Sequence, residues 1–360
     1  MARNNTSVVL AERPKPKIIP GKTFAKKVQP APTEADLKDG QILAETLYIG
    51  LDPAMRGWLN DARSYVPPVQ IDEVMRAAAV CRVLASRSKL AKRGDLVSGM
   101  PGWQEISILS EKGPRSFDAP FAVPANGRPT DMLGVLGMTG LTAYMGVKHV
   151  AAIKPGDTVV VSGAAGATGS VVGQMAKHVY GAGRVVGIAG GEDKCRWLVE
   201  ELGFDAAVDY KAPDFKKKFA EATKGFIDVY WDNVGGEILD LALARAKKHA
   251  RFVMCGGIST YNDSANEVRG PRNINMVIAM SIRMQGFIVF DYIKEYAQAR
   301  QDLAKWLEEG KIKRGETIVK GGLNVIEQTL VDLFNGVNKG ESAHLLLPSE
   351  SQLPLLTCCV

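Results

Sequence analysis

The segment VVVSGAAGATG, beginning at Val159, runs an apolar strand end directly into glycines and then into a helical period. A strand-to-helix turn this tight aims backbone N–H groups and the positive end of a helix dipole at one point, the arrangement that cradles a pyrophosphate. Gly166 permits close approach of the phosphates, and Gly169 lets the helix pack on the sheet. Ala164 occupies the first glycine position of a strict GxGxxG, so the reading leans on context, and a strand before with a helix after is the context of a dinucleotide site. In such a site the second strand, about 20 residues on, presents Asp or Glu to a ribose 2′-OH when the ligand is NAD. Here that strand ends Ile188, Ala189, Gly190, Gly191, with no carboxylate at its tip. Lys194, in the first turn of the next helix, offers a cation to a 2′-phosphate. Glu192 and Asp193 before it weigh against this, yet both are residues that a helix dipole favours at its start. The balance points to NADP.

A nicotinamide needs a protein group that supplies or steers a proton. The stretch Cys255, Gly256, Gly257, Ile258, Ser259, Thr260, Tyr261 sets a Gly-Gly pair at the carboxyl end of the fifth nucleotide-domain strand, where open α/β sheets bind ligands. Position alone leaves two readings of Tyr261, a proton donor or an ordinary loop tyrosine. Asn233, in DNVGG at the end of the fourth strand, has the same positional logic. Cys255 lacks a neighbouring base and reads as a small apolar strand residue rather than a nucleophile. The histidines, His149, His178, His249 and His344, are widely separated and form no HExxH or GHE arrangement. No metal is expected, and with no GxSxG elbow either, the chemistry falls to the nicotinamide.

Periodicity supplies the elements that hold these residues. Strands are predicted over Ser7–Leu10, Gln41–Leu51, Ala77–Leu84 and Asp95–Met100, a small β-rich unit. From Asp157 apolar runs alternate with helical periods, the signature of βαβ units on a parallel sheet. The strands are Thr158–Ser162, Arg184–Ile188, Ala206–Asp209, Ile227–Trp231, Arg251–Met254 and Met284–Phe290. The helices between them are Thr168–Tyr180, Asp193–Leu202, Asp214–Thr223, Glu237–Lys248 and Ile293–Glu309. One more helix near Val325–Phe334 and an apolar run, Ala343–Leu347, return after Gly310 to complete the first unit. The fold class is therefore α/β, a doubly wound parallel-sheet (Rossmann) domain with a second, β-rich one.

Composition agrees. A chain of 360 residues, 46% hydrophobic and 23% charged, exceeds what one core usually serves and excludes disordered, fibrous and coiled-coil classes. The net charge of +6 is spread too thinly for a nucleic-acid partner. The longest uncharged stretch, Thr158–Ala176, is too rich in Gly, Ala and Ser to enter a membrane, and the N-terminus develops no signal-peptide block. A cytoplasmic protein is expected. Five cysteines without CxxC spacing suggest neither disulfides nor a zinc site, and Thr357–Val360 is not a prenylation signal.

The motifs resemble the zinc-independent branch of the medium-chain dehydrogenase/reductase superfamily, specifically the alkenal double-bond reductases and the leukotriene hydroxydehydrogenase/prostaglandin reductases. Residues 51–57, LDPAMRG, are similar to the family's DPxMRG; Gly102–Glu105 to GWxE; and Gly137–Tyr144 to GMxGLTAY. AAGATGS from Ala164, DNVGGE from Asp232 and CGGISTYN from Cys255 complete the set, in the family's order. The resemblance implies a GroES-like catalytic domain over residues 1–133 and 312–360, with the nucleotide domain, 134–311, inserted. It implies NADPH-dependent reduction of the carbon–carbon double bond of α,β-unsaturated ketones or aldehydes by a homodimer. Carried over, Gly166, Ala167, Thr168 and Gly169 hold the pyrophosphate, Lys194 and Tyr210 the 2′-phosphate, and Asn233 the ribose side. Residues Cys255–Tyr261 and Phe287, Ile288 and Val289 line the nicotinamide half, and Asn338 closes from the C-terminal return. Tyr261 becomes the proton-relay residue, with Tyr48 and Met138 as substrate-pocket walls. Two positions depart from the pattern: Thr139 stands for the usual proline, and Glu341 for a lysine.

A hydrogen-bond donor aimed at the substrate oxygen, where negative charge gathers, would favour the transition state over the ground state. Tyr261, or a ribose hydroxyl it orients, fills that role. Two other readings stay open: an NADPH quinone reductase, and a non-catalytic, crystallin-like NADPH-binding protein.

Overall fold

The computed structural model describes residues 3–121, 127–264 and 267–346. The tail Pro348–Val360, with Cys358 and Cys359, lies outside the described residues. In chain order, β1 (Asn4–Leu10) and β2 (Phe24–Pro30) form an antiparallel pair beside β3 (Gln41–Leu51), the short α1 (Met55–Trp58), β4 (Ala79–Ser86), β5 (Leu96–Gly99) and β6 (Ile106–Ser110). α2 (Met138–Gly146) then leads into an alternating run: β7 (Thr158–Ser162), α3 (Ala167–His178), β8 (Arg184–Ala189), α4 (Glu192–Glu200), β9 (Ala206–Asp209), α5 (Phe215–Ala222), β10 (Ile227–Asp232), α6 (Gly236–Ala244) and β11 (Ala246–Met254). After α7 (Met276–Ala279), β12 (Arg283–Gly286) and α8 (Tyr296–Glu308), the chain closes with β13 (Glu316–Lys320), α9 (Ile326–Phe334) and β14 (Glu341–Leu345).

Strands β9, β8, β7, β10, β11 and β12 lie side by side in that order, all parallel. The chain starts at the centre, winds outward one way and then the other, so the crossovers diverge between β7 and β10. A crevice opens at such a switch point, at the carboxyl ends of the strands. The central strands carry apolar side chains toward both faces, and Val159–Val161 and Val229–Trp231 are fully buried.

The other sheet runs β13-β14-β3-β4-β5, with β6 on β3. β14 pairs antiparallel with β3, Ser342 opposite Leu51 and Leu345 opposite Tyr48, so the C-terminal return completes the first domain's sheet. The seam between the domains is apolar: Leu47, Tyr48, Ala343 and Leu345 share one cluster with Leu133, Tyr144 and Val161.

Several elements differ from the sequence expectation. β2 occupies part of the basic, proline-interrupted stretch Lys15–Lys27, where no strand is predicted, because pairing with β1 overrides local composition. The strand expected over Met284–Phe290 ends at Gly286, and the chain turns through a 3-10 segment, Val289–Glu295, before α8 begins at Tyr296. Residues 246–248, expected at the end of a helix, open β11 instead. α2 hides in the glycine-rich GMTGLTAY, which has weak helical propensity but is buried against α3 and α8.

Candidate active site

The phosphate loop forms as its sequence requires. β7 ends at Ser162, and Gly166 is the N-cap of α3 with no side-chain cap, so the first-turn N–H groups are left to an outside acceptor. Gly169 must be glycine: a Cβ there would lie 2.4 Å from the Gly163 carbonyl oxygen. At Gly166 a Cβ would meet only that same oxygen, at 3.3 Å, so the space outside the loop is open.

The C-terminal return lies against this loop. The Gly340 N–H donates to the Ala165 carbonyl at 2.8 Å, and Gly166 and Gly340 form a parallel bridge. Asn338 Nδ2 donates to Gly340 O at 2.8 Å and shapes the turn. Lys194, in the first turn of α4, donates from Nζ to Gly336 O at 2.7 Å, so strand tip, helix start and return converge. Burial first, then the charges of Lys211 and Lys339, hold the Lys194 ammonium below the ordinary lysine range. Three cations thus share one corner. Tyr210 is partly exposed there, packed over Gly190, with Lys211 Nζ 5.9 Å from its ring centroid. Asp209, at the tip of β9, spends its Oδ1 on the amides of Gly191 and Lys211.

At the switch point Asn233 brackets the two central strands. Its Nδ2 donates to Ser162 O at 2.7 Å, and its Oδ1 accepts Trp231 Nε1 at 3.0 Å. The glycine pair follows β11, and the loop folds back so that the Gly257 N–H donates to the Tyr261 hydroxyl oxygen at 3.1 Å. That bond uses an oxygen lone pair and leaves the phenolic proton to donate elsewhere. Burial, more than any neighbouring charge, raises the Tyr261 hydroxyl above the ordinary phenol range, so it keeps its proton at neutral pH. Burial likewise pushes the Cys255 thiol up to about 12, which removes a thiolate nucleophile from consideration and fits the apolar reading of that residue.

Arg56 in the first domain reaches across to this loop. Its Nε donates to Asn262 Oδ1 at 3.1 Å, Nη1 to Asn60 Oδ1 at 2.6 Å and Nη2 to Pro16 O at 2.5 Å. Tyr65 accepts Trp58 Nε1 at 3.2 Å and lies 6.1 Å, ring to ring, from Phe290. Neither Arg56 nor Tyr65 is singled out by sequence reasoning; the LDPAMRG motif contains Arg56 and was the available signal. Asp52, in the same motif, accepts the Ala54 N–H at 2.7 Å, and burial raises its carboxyl.

The remaining sequence-predicted positions divide. Phe287 packs edge-on against Trp231 at 5.8 Å, and Val289 is buried; both follow β12 instead of ending it. Met138 begins α2, half-buried, its sulfur 3.8 Å from the Tyr296 hydroxyl. Tyr48 is only 5% exposed, within the core shared by both domains. Three of the histidines serve the scaffold: His149 stacks on Tyr292 and meets Glu295, His178 contacts Leu202 O, and His344 is fully buried against Gly322 O. Among the described residues no group of three or more His, Cys, Asp or Glu could hold a metal ion, and no helix is long and apolar enough to cross a membrane.

Residues 7–116 match a family model described as the N-terminal domain of oxidoreductase, and residues 167–305 one described as zinc-binding dehydrogenase. The NADPH-dependent curcumin reductase of Escherichia coli is 39% identical over 346 residues, 94% of this chain and 96% of the relative. Prostaglandin reductase 1 of Bos taurus is 36% identical over 309 residues, 85% of this chain and 89% of the relative. The solved structure of CurA from Vibrio vulnificus in complex with NADPH is 38% identical, with a TM-score of 0.86 over 96% of this chain and all of that one. Motif order, sheet order and full-length similarity agree, and the chain belongs to the medium-chain dehydrogenase/reductase family, in the branch of the alkenal and prostaglandin reductases.

Proposed function

We propose that this protein is an NADPH-dependent reductase of the carbon–carbon double bond of α,β-unsaturated ketones and aldehydes. The observation that carries it is the Tyr261 loop, a half-buried phenol whose oxygen is held by the Gly257 N–H and whose proton stays available at the switch-point crevice. The activities named for its relatives support it: curcumin reductase, prostaglandin reductase and the 2-alkenal reductase of Nicotiana tabacum.

The residues fit the cofactor. Gly166, Ala167, Thr168 and Gly169 would hold its pyrophosphate. The convergence of Lys194, Lys211 and Lys339 beside Tyr210 suits the 2′-phosphate, since three neighbouring cations with a partly desolvated lysine among them gain from a dianion. Asn233 and Asn338 would border the ribose, and Cys255–Tyr261 with Phe287–Val289 the nicotinamide half. When bound, the nicotinamide supplies a hydride. The chain's own part is to hold the substrate carbonyl against the Tyr261 hydroxyl, whose proton stabilises the negative charge that gathers on the carbonyl oxygen. Tyr65, Phe290 and Met138 would exclude water around the alkene, a role in which they join or replace the expected Tyr48. No residue cluster suited to a metal ion is needed for this. Cytosolic residence and a homodimer, joined along the open edge of β12, belong to the same proposal.

The test is NADPH consumption, followed by absorbance, with enones, enals and quinones in parallel and with NADH as the control. Turnover of simple enones or enals with NADPH is the expected result. Turnover of quinones alone would make the protein a quinone reductase, and tight NADPH binding with no turnover of any class would favour the non-catalytic reading.

A further inference from the structure

The two departures from the family pattern, Thr139 and Glu341, meet in space. Thr139 Oγ1 lies 3.1 Å from Glu341 Oε2, 2.9 Å from the Gly134 carbonyl oxygen and 3.4 Å from that of Leu133. A hydroxyl has one proton to give. The Gly134 carbonyl can only accept and is the closer partner, so Thr139 donates there. The contact with Glu341 is then satisfied when the carboxyl keeps its own proton and donates it to Oγ1.

The surroundings favour that state. Glu341 is 6% exposed. Asp52 faces it from the end of the β3 segment, and Glu316 lies opposite it in register on β13. Two cations of this seam are engaged elsewhere: Arg128 pairs with Glu316, and Arg314 bonds both oxygens of Asp131. Lys313 lines the same small cavity as Glu341 and is fixed there through its backbone, whose N–H donates to Gln174 Oε1. Against burial and two acids, an anion at Glu341 would draw on the Ser342 backbone, and on the Thr139 hydroxyl at the expense of its bond to Gly134. Burial first, then the Asp52 charge, holds the carboxyl well above its ordinary range.

The position gives this proton a consequence. The preceding residue, Gly340, bonds the phosphate loop at Ala165, and Glu341 N–H bonds Gly315 O at 2.8 Å. Gly340 has φ +66°, and a Cβ there would lie 2.0 Å from Gly315 O, so the turn has no slack. Consecutive residues of the return therefore grip the phosphate loop by backbone and α2 by side chain. We propose that Glu341, with its proton, is a latch that holds the C-terminal return against the phosphate loop, and that loss of this proton frees the return and weakens the dinucleotide's hold. Glu341 is a positioning residue here, since it acts through Gly340 and Ala165. The proposal uses the NADP reading only to choose the probe.

The sign follows from linkage. A carboxyl whose folded pKa is raised adds stability that is fully present below the unfolded value near 4.3 and is lost as pH rises through the folded value. Two measurements on the full chain test this, neither requiring substrate. The first is thermal unfolding of the apo protein from pH 6 to 9.5, beside NADPH affinity by fluorescence titration over the same range. Wild type should lose stability and affinity together, with affinity falling by at most about tenfold per pH unit, the limit for one coupled proton. Glu341→Gln, which keeps a donor toward Thr139 and removes the charge, should flatten both curves. The second is infrared spectroscopy of wild type with isotope-labelled glutamate, which should show a protonated carboxylic acid at pH 7 that disappears over the same interval. A Glu341→Gln protein with the wild-type pH slope overturns the latch. So does wild type without a protonated glutamate at pH 7, a result that stands even if the variant does not fold. Since no enone enters either arm, a failed substrate screen leaves this outcome unaffected.

Discussion

Tyr261 is one side chain whose position was legible and whose chemistry was not. The glycine pair after an apolar strand marks the mouth of the crevice in the sequence, but the same letters allow an ordinary loop tyrosine. What separates the two is the Gly257 N–H bonded to its oxygen, a contact four residues away that only the folded turn creates. If the phenol stabilises charge on the substrate oxygen, Tyr261→Phe keeps the ring and its packing and should lower kcat by roughly ten- to a thousandfold, the upper end being the loss of one oxyanion donor. NADPH affinity should change far less, because the lost interaction belongs to the transition state. Single-turnover hydride transfer, read from NADPH absorbance, decides this: a Phe variant at the wild-type rate reduces Tyr261 to packing. Lys194 shows the complementary limit. The empty strand tip pointed to it, yet Lys211 and Lys339 come from other elements, and nothing in their spacing revealed that three lysines share a corner.

Elements with strong period were legible, and those made by long-range pairing were not. The β7 to β11 alternation declares itself because each strand is an apolar run and each crossover helix has one apolar stripe. β2 and α2 exist because something packs on them: β1 pairs with the first, and α3 and α8 cover the second. Early termination of β12 has the same origin, since the register with β11 ends at Met254–Gly286 and leaves Phe287 to turn inward onto Trp231. Arg56 extends this lesson to the site. On the short α1 it is 3% exposed, and its three bonds join the first domain's own loops to Asn262, next to Tyr261. Lysine carries a point charge on a single nitrogen and cannot make that fork of contacts. Arg56→Lys should therefore loosen the Tyr261 loop and lower kcat by about tenfold or more, on the scale of one lost hydrogen bond to a charged group. NADPH affinity, for which the proposed pyrophosphate and 2′-phosphate contacts at the α3 and α4 starts are left in place, should fall less than kcat. An unchanged kcat would mean that the Tyr261 loop holds its shape without the domain crossing.

At the scale of the whole molecule, the nucleotide domain shares its seam core with the sheet that the C-terminal return completes. Among the described residues the parallel sheet ends on β9 at one side and on β12 at the other. β12 pairs only with β11 in the described sheet, and the short α7 just before it carries Ile278, 81% exposed, with Ile274 also exposed ahead of it. An unpaired strand edge beside bare apolar side chains is a liability that proteins cover, and a second copy of the same edge, related by a two-fold axis, covers it without further machinery. The homodimer proposed above would pair β12 with its counterpart and bury Ile278 at or near the axis. Analytical ultracentrifugation should give twice the 38.8 kDa chain mass. Ile278→Lys, which places like charges face to face across the two-fold, should shift the protein toward monomer while leaving NADPH affinity intact, since the phosphate loop lies at the centre of the strand order and the lysine corner toward its other end. A wild-type protein that sediments as a monomer at micromolar concentration removes the dimer. A dimer untouched by Ile278→Lys moves its interface away from the β12 edge.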